Sequence, residues 1–303
     1  MSEVYIVNVP VATVWTSPAS PREIDAPMLS ASCRADEWLR RLDDAALLDL
    51  CESNRVQTQV LYGEEVLLVE QKDGWSRVVI PNQPSSKHNQ GYPGWIPTCQ
   101  LTRKQENRAY GQLAMVTSRK AALKTEKEQE EIVLSFATLL PVHRLEGDWA
   151  IVQTPTGYGS VAASDVKIYQ GCETGSNADF IKSGEQFIGL PYLWGGMSSF
   201  GYDCSGFVYN MCRANGYRIP RDASEQAFDG KEVALSELKP GDLLFFAYEQ
   251  GKGEIHHVGF YYGDGKMLHS PKTGRPIEII DLNGTLYEQE LCAARRYGAE
   301  ETI

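Results

Sequence analysis

The chain has 303 residues, enough for two or three domains, and 42% of them are hydrophobic, as in ordinary globular proteins. Its formal net charge of −11 argues against nucleic acid, an anionic membrane or a bare anionic wall polymer as the main partner. A small anionic ligand stays compatible with this charge, because a local site can oppose the global field.

The amino-terminal stretch MSEVYIVNVPVATVW predicts a strand and not a signal peptide, because Glu3 comes early, no basic region is present and the apolar residues alternate. No later stretch approaches the roughly 18 uninterrupted apolar residues of a membrane span. The seven cysteines are odd in number and show neither a CxxC pair nor a Cys/His metal spacing. We therefore expect free thiols, a reducing compartment and a cytoplasmic protein without a membrane partner.

Residues 1 to about 105 are predicted to be rich in β-strands, since apolar residues alternate in VYIVNV, ATVWT, VLYGEEVLLVEQ and WSRVVI. Between these segments, residues 36–54 have apolar residues at helical spacing near one face. The pattern predicts one helix inserted in a small β-barrel.

A faint internal repeat follows. Gly74-Trp75 opens a strand and Gly94-Trp95 comes about twenty residues later, while Gly147-Asp148-Trp149 precedes Gly157-Tyr158 in the same order of turn, strand, turn and strand. Two related small barrels, similar to bacterial SH3-like modules, would explain this repeat, and an unrelated β-meander is the alternative.

From residue 179 the pattern changes. Helical spacing covers ADFIKSGEQFIGL and CSGFVYNMCRANG, a short helix begins near Asp222, and strands then follow in DLLFFAY, HHVGFYY, KMLHS, IEIIDL and CAARRY. Helices followed by an antiparallel sheet indicate an α+β domain. The predicted domains are therefore 1–106, 107–172 and 173–303.

Cys204 begins the second of these helices. A thiol attacks as the thiolate, and a helix N-terminus favours negative charge, so we expect a lowered pKa at this position. Ser205 and Gly206 leave room for a substrate, and the glycine-rich stretch before Cys204 allows close backbone approach. An isolated DCSG would more often be structural, so the assignment depends on the histidines downstream.

Three of the five histidines lie in HHVGFYYGDGKMLHS, which is typical of a β-hairpin. A two-residue loop would put His269 on the face opposite His257, whereas a three-residue loop over 263–265 would pair 259 with 269 and bring the two rings together. We favour the three-residue loop. His257 then serves as the general base for Cys204, His269 orients it, and His256 points away.

Six ordered motifs in residues 179–297 resemble the NlpC-type cysteine peptidases of peptidoglycan metabolism, which have a papain-like fold: PYLWGG, DCSGF, IPRDASEQ, KPGDLLFF, HHVGFYYGDG and MLHS. The resemblance implies that Cys204 is the nucleophile, His257 the base and His269 the orienting residue. It also implies a papain-like catalytic domain, which in this chain follows the two predicted SH3-like barrels. No metal or other cofactor is needed, since the thiolate replaces an activated water.

The whole chain is similar to the γ-D-glutamyl-L-diamino acid endopeptidases of murein peptide recycling, through VYIVNVPVATVWTSPASPREID, TQVLYGEEV and GYPGWIP. This resemblance implies cleavage between the γ-carboxyl of D-Glu and L-Lys or diaminopimelate. The expected partners are small murein peptides with a free N-terminal L-Ala.

The same resemblance assigns substrate-binding residues. Glu64 and Tyr92 of the first SH3-like domain, with Asp203, are expected to bind the L-Ala end, and Glu65 is a rival for the glutamate. Further residues expected in this pocket are Tyr192, Trp194, Ser205 and Ser224. The oxyanion hole is expected at the Cys204 backbone N–H and a second donor that the sequence does not identify.

Two other functions remain as alternatives. One is a binding protein for wall peptides with an inactive last domain, against which the Cys204, His257 and His269 set argues. The other is an endopeptidase of the same fold that acts on intact wall and does not require a free amine. The sequence does not fix the oligomeric state.

Overall fold

The structure is a computed structural model that describes residues 3–104, 111–125, 131–169 and 173–298. It divides into two compact units. We call the first the barrel unit (Met1–Asn82, Lys87–Cys172 and Ser198–Phe200) and the second the α+β unit (Gln83–Ser86, Glu173–Met197 and Gly201–Ile303).

The first half of the barrel unit is one seven-stranded antiparallel sheet with the order β3-β2-β6-β5-β4-β1-β7. Its strands are β1 (Val4–Val7), β2 (Val11–Trp15), β3 (Val56–Leu61), β4 (Glu65–Lys72), β5 (Trp75–Ile80), β6 (Tyr92–Pro97) and β7 (Leu101–Arg103). Apolar side chains of these strands form its core, but burial does not alternate as the sequence predicts: all five residues of β2 are buried.

The insertion between β2 and β3 differs from the prediction of one helix over 36–54. It forms α1 (Ala35–Arg41) and α2 (Asp44–Glu52), preceded by a 3-10 helix at Glu23–Met28. The break has a local cause: Asp43 is extended and its carboxylate accepts a hydrogen bond from the Ala46 backbone N–H at 2.8 Å. A side chain that caps a new helix in this way ends the preceding one.

The second half of the barrel unit repeats the first. Its strands are β8 (Leu113–Val116), β9 (Lys120–Thr125), β10 (Ile132–Ser135), β11 (Leu139–Glu146), β12 (Trp149–Thr154), β13 (Gly157–Ala162) and β14 (Val166–Tyr169). Their order, β10-β9-β13-β12-β11-β8-β14, is that of the first sheet shifted by seven strands. Trp75 and Trp149 open equivalent strands, so the predicted repeat is confirmed.

The turn before β4 is also repeated before β11. Gly63 has a φ of +81° and its N–H donates to Val7 O, while Ala137 has a φ of +63° and its N–H donates to Val116 O, both at 2.9 Å. The residue after the left-handed position is Glu64 in the first copy and Thr138 in the second. One backbone conformation thus carries two different side chains.

The α+β unit has one six-stranded sheet, with the order β17-β22-β18-β19-β20-β21. Its strands are β17 (Lys231–Glu232), β18 (Leu243–Ala247), β19 (Ile255–Gly263), β20 (Lys266–His269), β21 (Glu278–Asp281) and β22 (Leu291–Arg296). The two-residue strands β15 (Met197–Ser198) and β16 (Gly201–Tyr202) precede it in the chain. The helices are α3 (Asn177–Glu185), α4 (Cys204–Ala214), α5 (Ala223–Gln226), α6 (Tyr248–Gly251) and α7 (Leu286–Glu290).

Helices α3 and α4 pack on this sheet through aromatic side chains. Phe180 of α3 and Phe207 of α4 each lie 6.0 Å, between ring centroids, from Phe260 of β19. All three rings are fully buried. Helices before an antiparallel sheet confirm the α+β class, and this packing fixes the first turn of α4 beside β19.

No helix in the described part of the chain is both long enough and apolar enough to cross a membrane.

Candidate active site

Helix α4 begins at Cys204, as predicted. Asp203 caps it, because its Oδ1 accepts the Gly206 N–H at 2.6 Å. Gly206 has no room for a side chain, since a Cβ there would lie 2.1 Å from the carbonyl oxygen of Gly196. The glycines on both sides of the cysteine therefore allow the preceding loop to pack against the first turn of α4.

The Cys204 thiol is buried, and this overturns the expectation of a lowered pKa. Burial raises the pKa of the thiol to about 12, and the negative charge of Asp203 adds to the rise. Hydrogen bonds with the backbone of Val258 and of Ser205 act in the opposite direction but do not outweigh burial. The helix terminus is present, yet desolvation of the thiolate is the larger effect. The bond to Val258 places the sulfur beside the residue that follows His257.

The hairpin of β19 and β20 has the predicted register but a different loop. Phe260 pairs with Leu268 and Gly263 with Lys266, with a bulge between Tyr261 and Gly263. The loop is therefore the two-residue turn Asp264-Gly265, whose residues both have positive φ, and not three residues long. The bulge supplies the extra residue that restores the register, because a bulge shifts the pairing by one.

This register brings the two predicted histidines together. His257 Nε2 lies 2.8 Å from His269 Nδ1, and the ring planes are inclined by 80°. A Cβ built on Gly259 would lie 2.9 Å from the Cβ of His269, so the missing side chain leaves room for the contact. His256 lies apart from this pair, with its ring stacked on Tyr248 and its Nε2 3.1 Å from Glu290.

Both histidines of the pair are neutral near pH 7. Burial lowers the pKa of His257 well below its usual value, and the neighbouring His269 and His256 add to this. Burial lowers the pKa of His269 to about 3, with a further contribution from the Arg275 cation. A neutral imidazole is the form that accepts a proton, so His257 is prepared to act as a base.

Arg221 is a charged member of the site that sequence reasoning did not assign. Its guanidinium pairs with the Asp203 carboxylate through Nη2–Oδ2 at 2.6 Å and Nη1–Oδ1 at 3.2 Å, and donates to Ser205 Oγ at 2.8 Å. Both charged side chains are almost fully buried. The residue stands inside the quoted motif IPRDASEQ, but nothing local in the sequence shows that it reaches back to Asp203.

Tyr287 of α7 also reaches the histidines. Its ring centroid lies 5.1 Å from that of His257 and 5.2 Å from that of His269. Burial raises the pKa of its hydroxyl to about 12, and a charge on Cys204 adds to the rise. It covers the pair as a neutral phenol. No motif in the sequence marks it.

The other residues of the α+β unit that are predicted to bind substrate lie in the loop before α4, on α4 and on α5. Tyr192 is buried, Trp194 is half-buried and Ser224 is exposed on α5. Ser205 donates to Asp203 Oδ1 at 3.2 Å. Their substrate contacts remain predictions.

Glu64 and Tyr92 belong to the barrel unit. Glu64 is buried, and its Oε2 accepts the Leu61 N–H at 2.9 Å. Tyr92 is buried on β6, where the ammonium of Lys87 contacts its hydroxyl and lies 4.2 Å from its ring centroid. The rival Glu65 is partly exposed and pairs with Lys104 at 2.8 Å.

Two family profiles match the chain. The profile of the NlpC/P60 family matches residues 189–296, which include Cys204, His257 and His269. The profile of the YKFC SH3b2 domain matches residues 116–169, the second barrel.

Individual proteins match over almost the whole length. A Bacillus subtilis protein named gamma-D-glutamyl-L-lysine dipeptidyl-peptidase is 49% identical over 291 residues, which cover 96% of this chain and 97% of the relative. A Bacillus cereus protein of the same name is 38% identical over 299 residues, covering 96% and 90%. The crystal structure of an NlpC/P60 family protein from Bacillus cereus superposes with a TM-score of 0.95 at 37% identity, covering 98% of this chain and 100% of that one.

Proposed function

Because the chain belongs to the NlpC/P60 family of cysteine peptidases, we propose that it hydrolyses the γ-D-glutamyl-L-diamino acid bond of small murein peptides. The observation that carries the chemistry is the contact of 2.8 Å between the two imidazoles beside the buried thiol. The names of the two Bacillus relatives support a γ-D-glutamyl-L-lysine bond as the target. Diaminopimelate in place of lysine presents the same bond.

In the proposed reaction His257 Nδ1 takes the proton of the Cys204 thiol as the sulfur attacks the γ-carbonyl carbon of D-Glu. The tetrahedral intermediate then expels the α-amine of the diamino acid, which receives that proton from His257. A thioester between Cys204 and the glutamyl group remains. Water, deprotonated by His257, hydrolyses it and restores the free thiol.

The resting state is a neutral thiol and a neutral imidazole, since burial raises the pKa of the former and lowers that of the latter. Proton transfer therefore accompanies substrate attack in this proposal and does not precede it. The Cys204 N–H, in the first turn of α4, has no partner within its helix and suits the role of an oxyanion donor.

We propose that the enzyme prefers a free amino group on the L-Ala residue, through Glu64. The Asp203 carboxylate is already paired with Arg221 and caps α4, so its charge is largely compensated. A second carboxylate is then needed for an ammonium group. Burial of Glu64, in contrast to the partly exposed Glu65, suits a site that rejects an acylated amine.

We further propose that the protein works in the cytoplasm, on peptides released during wall turnover. The six cysteines that the structure describes all have free thiols, which fits a reducing compartment.

The test is incubation with L-Ala-γ-D-Glu-L-Lys, its N-acetylated form and its diaminopimelate analogue, with release of the free diamino acid measured by mass spectrometry. We expect cleavage of the free-amine peptides and loss of at least about 10³-fold in kcat for Cys204→Ala. Absence of cleavage by the wild type would support a binding protein, and activity retained by Cys204→Ala would exclude the proposed nucleophile.

The amine preference has its own test. Glu64→Gln should raise KM for the free tripeptide and bring its kcat/KM close to that of the N-acetylated form, while Glu65→Gln serves as the matched control at the adjacent position. Equal rates on the two peptides in the wild type would argue instead for an endopeptidase without a free-amine requirement.

A further inference from the structure

His269 has one nitrogen whose environment the catalytic scheme does not explain. Its Nδ1 contacts His257, but its Nε2 is buried and, among the residues that the structure describes, makes no hydrogen bond. The side chain is only 1% exposed. A ring nitrogen in this position carries a cost unless a partner approaches it.

The scheme fixes which tautomer His269 must adopt. His257 accepts a proton at Nδ1, so its Nε2 carries a hydrogen and donates to His269. His269 Nδ1 must then be the bare acceptor, and its own proton lies on Nε2. The buried Nε2 is therefore a donor, and the nearby groups must include an acceptor.

Glu278 is the acidic residue that faces this nitrogen. It is the first residue of β21 and the direct cross-strand partner of His269, and its Oε1 lies 4.0 Å from His269 Nε2. Arg275 holds the carboxylate with a double hydrogen bond of 2.7 and 2.9 Å. An approach of about 1 Å would turn the contact into a charge-assisted hydrogen bond.

We propose that Glu278 is a positioning residue that accepts the Nε2 proton of His269 and thereby sets the tautomer that orients His257. The role rests on the proposed catalytic function of the pair. The series of interacting groups would then run from the Cys204 thiol through the two imidazoles to the Glu278 carboxylate. Only the thiol and the His257 imidazole exchange protons with the substrate.

The charged and titratable groups around His269 make Glu278 necessary. His257 faces it from β19, Tyr287 from α7, Arg275 from the loop before β21, and Glu278 from β21 itself. Without the carboxylate, the Arg275 cation favours a bare lone pair on Nε2 and moves the proton to Nδ1. An N–H of His269 would then face His257 Nε2, so His257 would either lose its acceptor or move its own proton to Nδ1, where it blocks the base.

The first measurement is activity on L-Ala-γ-D-Glu-L-Lys. Glu278→Gln is expected to lower kcat by about 10- to 100-fold with little change in KM, the size of effect typical when the hydrogen-bond partner of a metal-bound histidine is removed. Glu278→Asp, which keeps the charge, should recover part of the loss, and Glu278→Gln combined with Arg275→Met should recover part of it by removing the cation. Asp281→Asn, an exposed carboxylate of the same strand, is the matched control.

The second measurement does not depend on activity. Nitrogen-15 NMR of the full chain carrying Cys204→Ala reports the His269 tautomer, with the signal assigned by comparison with His269→Gln. We expect the proton on Nε2 with Glu278 present and on Nδ1 with Glu278→Gln. An unchanged tautomer, or an unchanged kcat in a folded Glu278→Gln protein, would overturn the proposal. If the wild type does not cleave the peptide, the tautomer result still decides it.

Discussion

Asp203, which is paired with Arg221, contributes both to the fold and to the candidate site. Asp203 caps α4 and stands next to Cys204, the proposed nucleophile, so its carboxylate must be kept in place although it is buried. Arg221 compensates the charge and also holds Ser205 Oγ. A buried charge whose partner is removed is costly, whereas loss of both partners costs much less.

Arg221→Met is therefore expected to lower the free energy of unfolding by about 3 to 5 kcal/mol, because it leaves the Asp203 carboxylate buried without its cation. Adding Asp203→Asn should recover a large part of this loss. Urea denaturation of the single and double variants measures both terms. Arg77→Met, at an exposed arginine of β5, is the control and should change stability by less than about 0.5 kcal/mol. Additive losses in the double variant would contradict the coupling.

For single residues, the sequence predicts those functional residues whose role is indicated by the residues next to them in the chain. Cys204 is marked by the helix start, and His257 and His269 by strand alternation within one hairpin. Arg221 and Tyr287 escape such reasoning because their partners lie far away in sequence. The pKa of the thiol escapes it as well, since burial depends on the whole packing around α4.

Among the elements, the β19–β20 hairpin and the inserted helices show what local patterns determine. Alternation assigns each residue of the hairpin to a face but leaves two registers open; the structure has the register predicted from a three-residue loop, although the loop is shorter, because a bulge compensates. The insertion over 36–54 has a continuous helical pattern, yet the capping carboxylate of Asp43 divides it. Periodicity predicts which faces meet better than it predicts where an element ends.

The turn before β4 gives a prediction about a single element. Gly63→Ala should lower the free energy of unfolding by about 2 kcal/mol, because a left-handed backbone strains a Cβ and that Cβ would lie 2.6 Å from Leu140 Cδ2. Gly74→Ala is the matched control, with a φ of +79° but open space around it, and should cost about 1 kcal/mol. Urea denaturation compares the two, and equal losses would show that the contact with Leu140 is unimportant.

For the whole molecule, the buried imidazoles make stability depend on pH. The pKa of His269 falls from an ordinary 6.5 to about 3 on folding, and that of His257 falls in the same direction. Between those values the unfolded chain binds more protons than the folded one, so the free energy of unfolding decreases as the pH is lowered below about 6.5.

Urea denaturation between pH 7 and pH 5.5, where most carboxylates stay ionised and an ordinary histidine titrates, isolates this effect. The wild type should lose stability steadily as the pH falls across this range. His269→Asn, which removes one of the two buried imidazoles, should show a shallower slope. Parallel slopes for the two proteins would contradict the assignment of the effect to this histidine.

The arrangement of the whole chain was predictable in outline: two related barrels and then an α+β domain with helices before its sheet. The strand order could not be read from the sequence, since GxW repeats mark individual strands but not their neighbours. The finding that both barrels share one strand order therefore comes from the structure alone.

The turn that is repeated in the two barrels has a consequence for how such a chain can evolve. The turn at Gly63 and its copy at Ala137 keep one backbone conformation while the next residue differs, Glu64 in one barrel and Thr138 in the other. The fold thus tolerates either side chain at this place. A duplicated barrel lets one copy keep the architecture intact while the other gains or loses a carboxylate by a single substitution, so under the role proposed for Glu64 substrate preference and foldability can change independently.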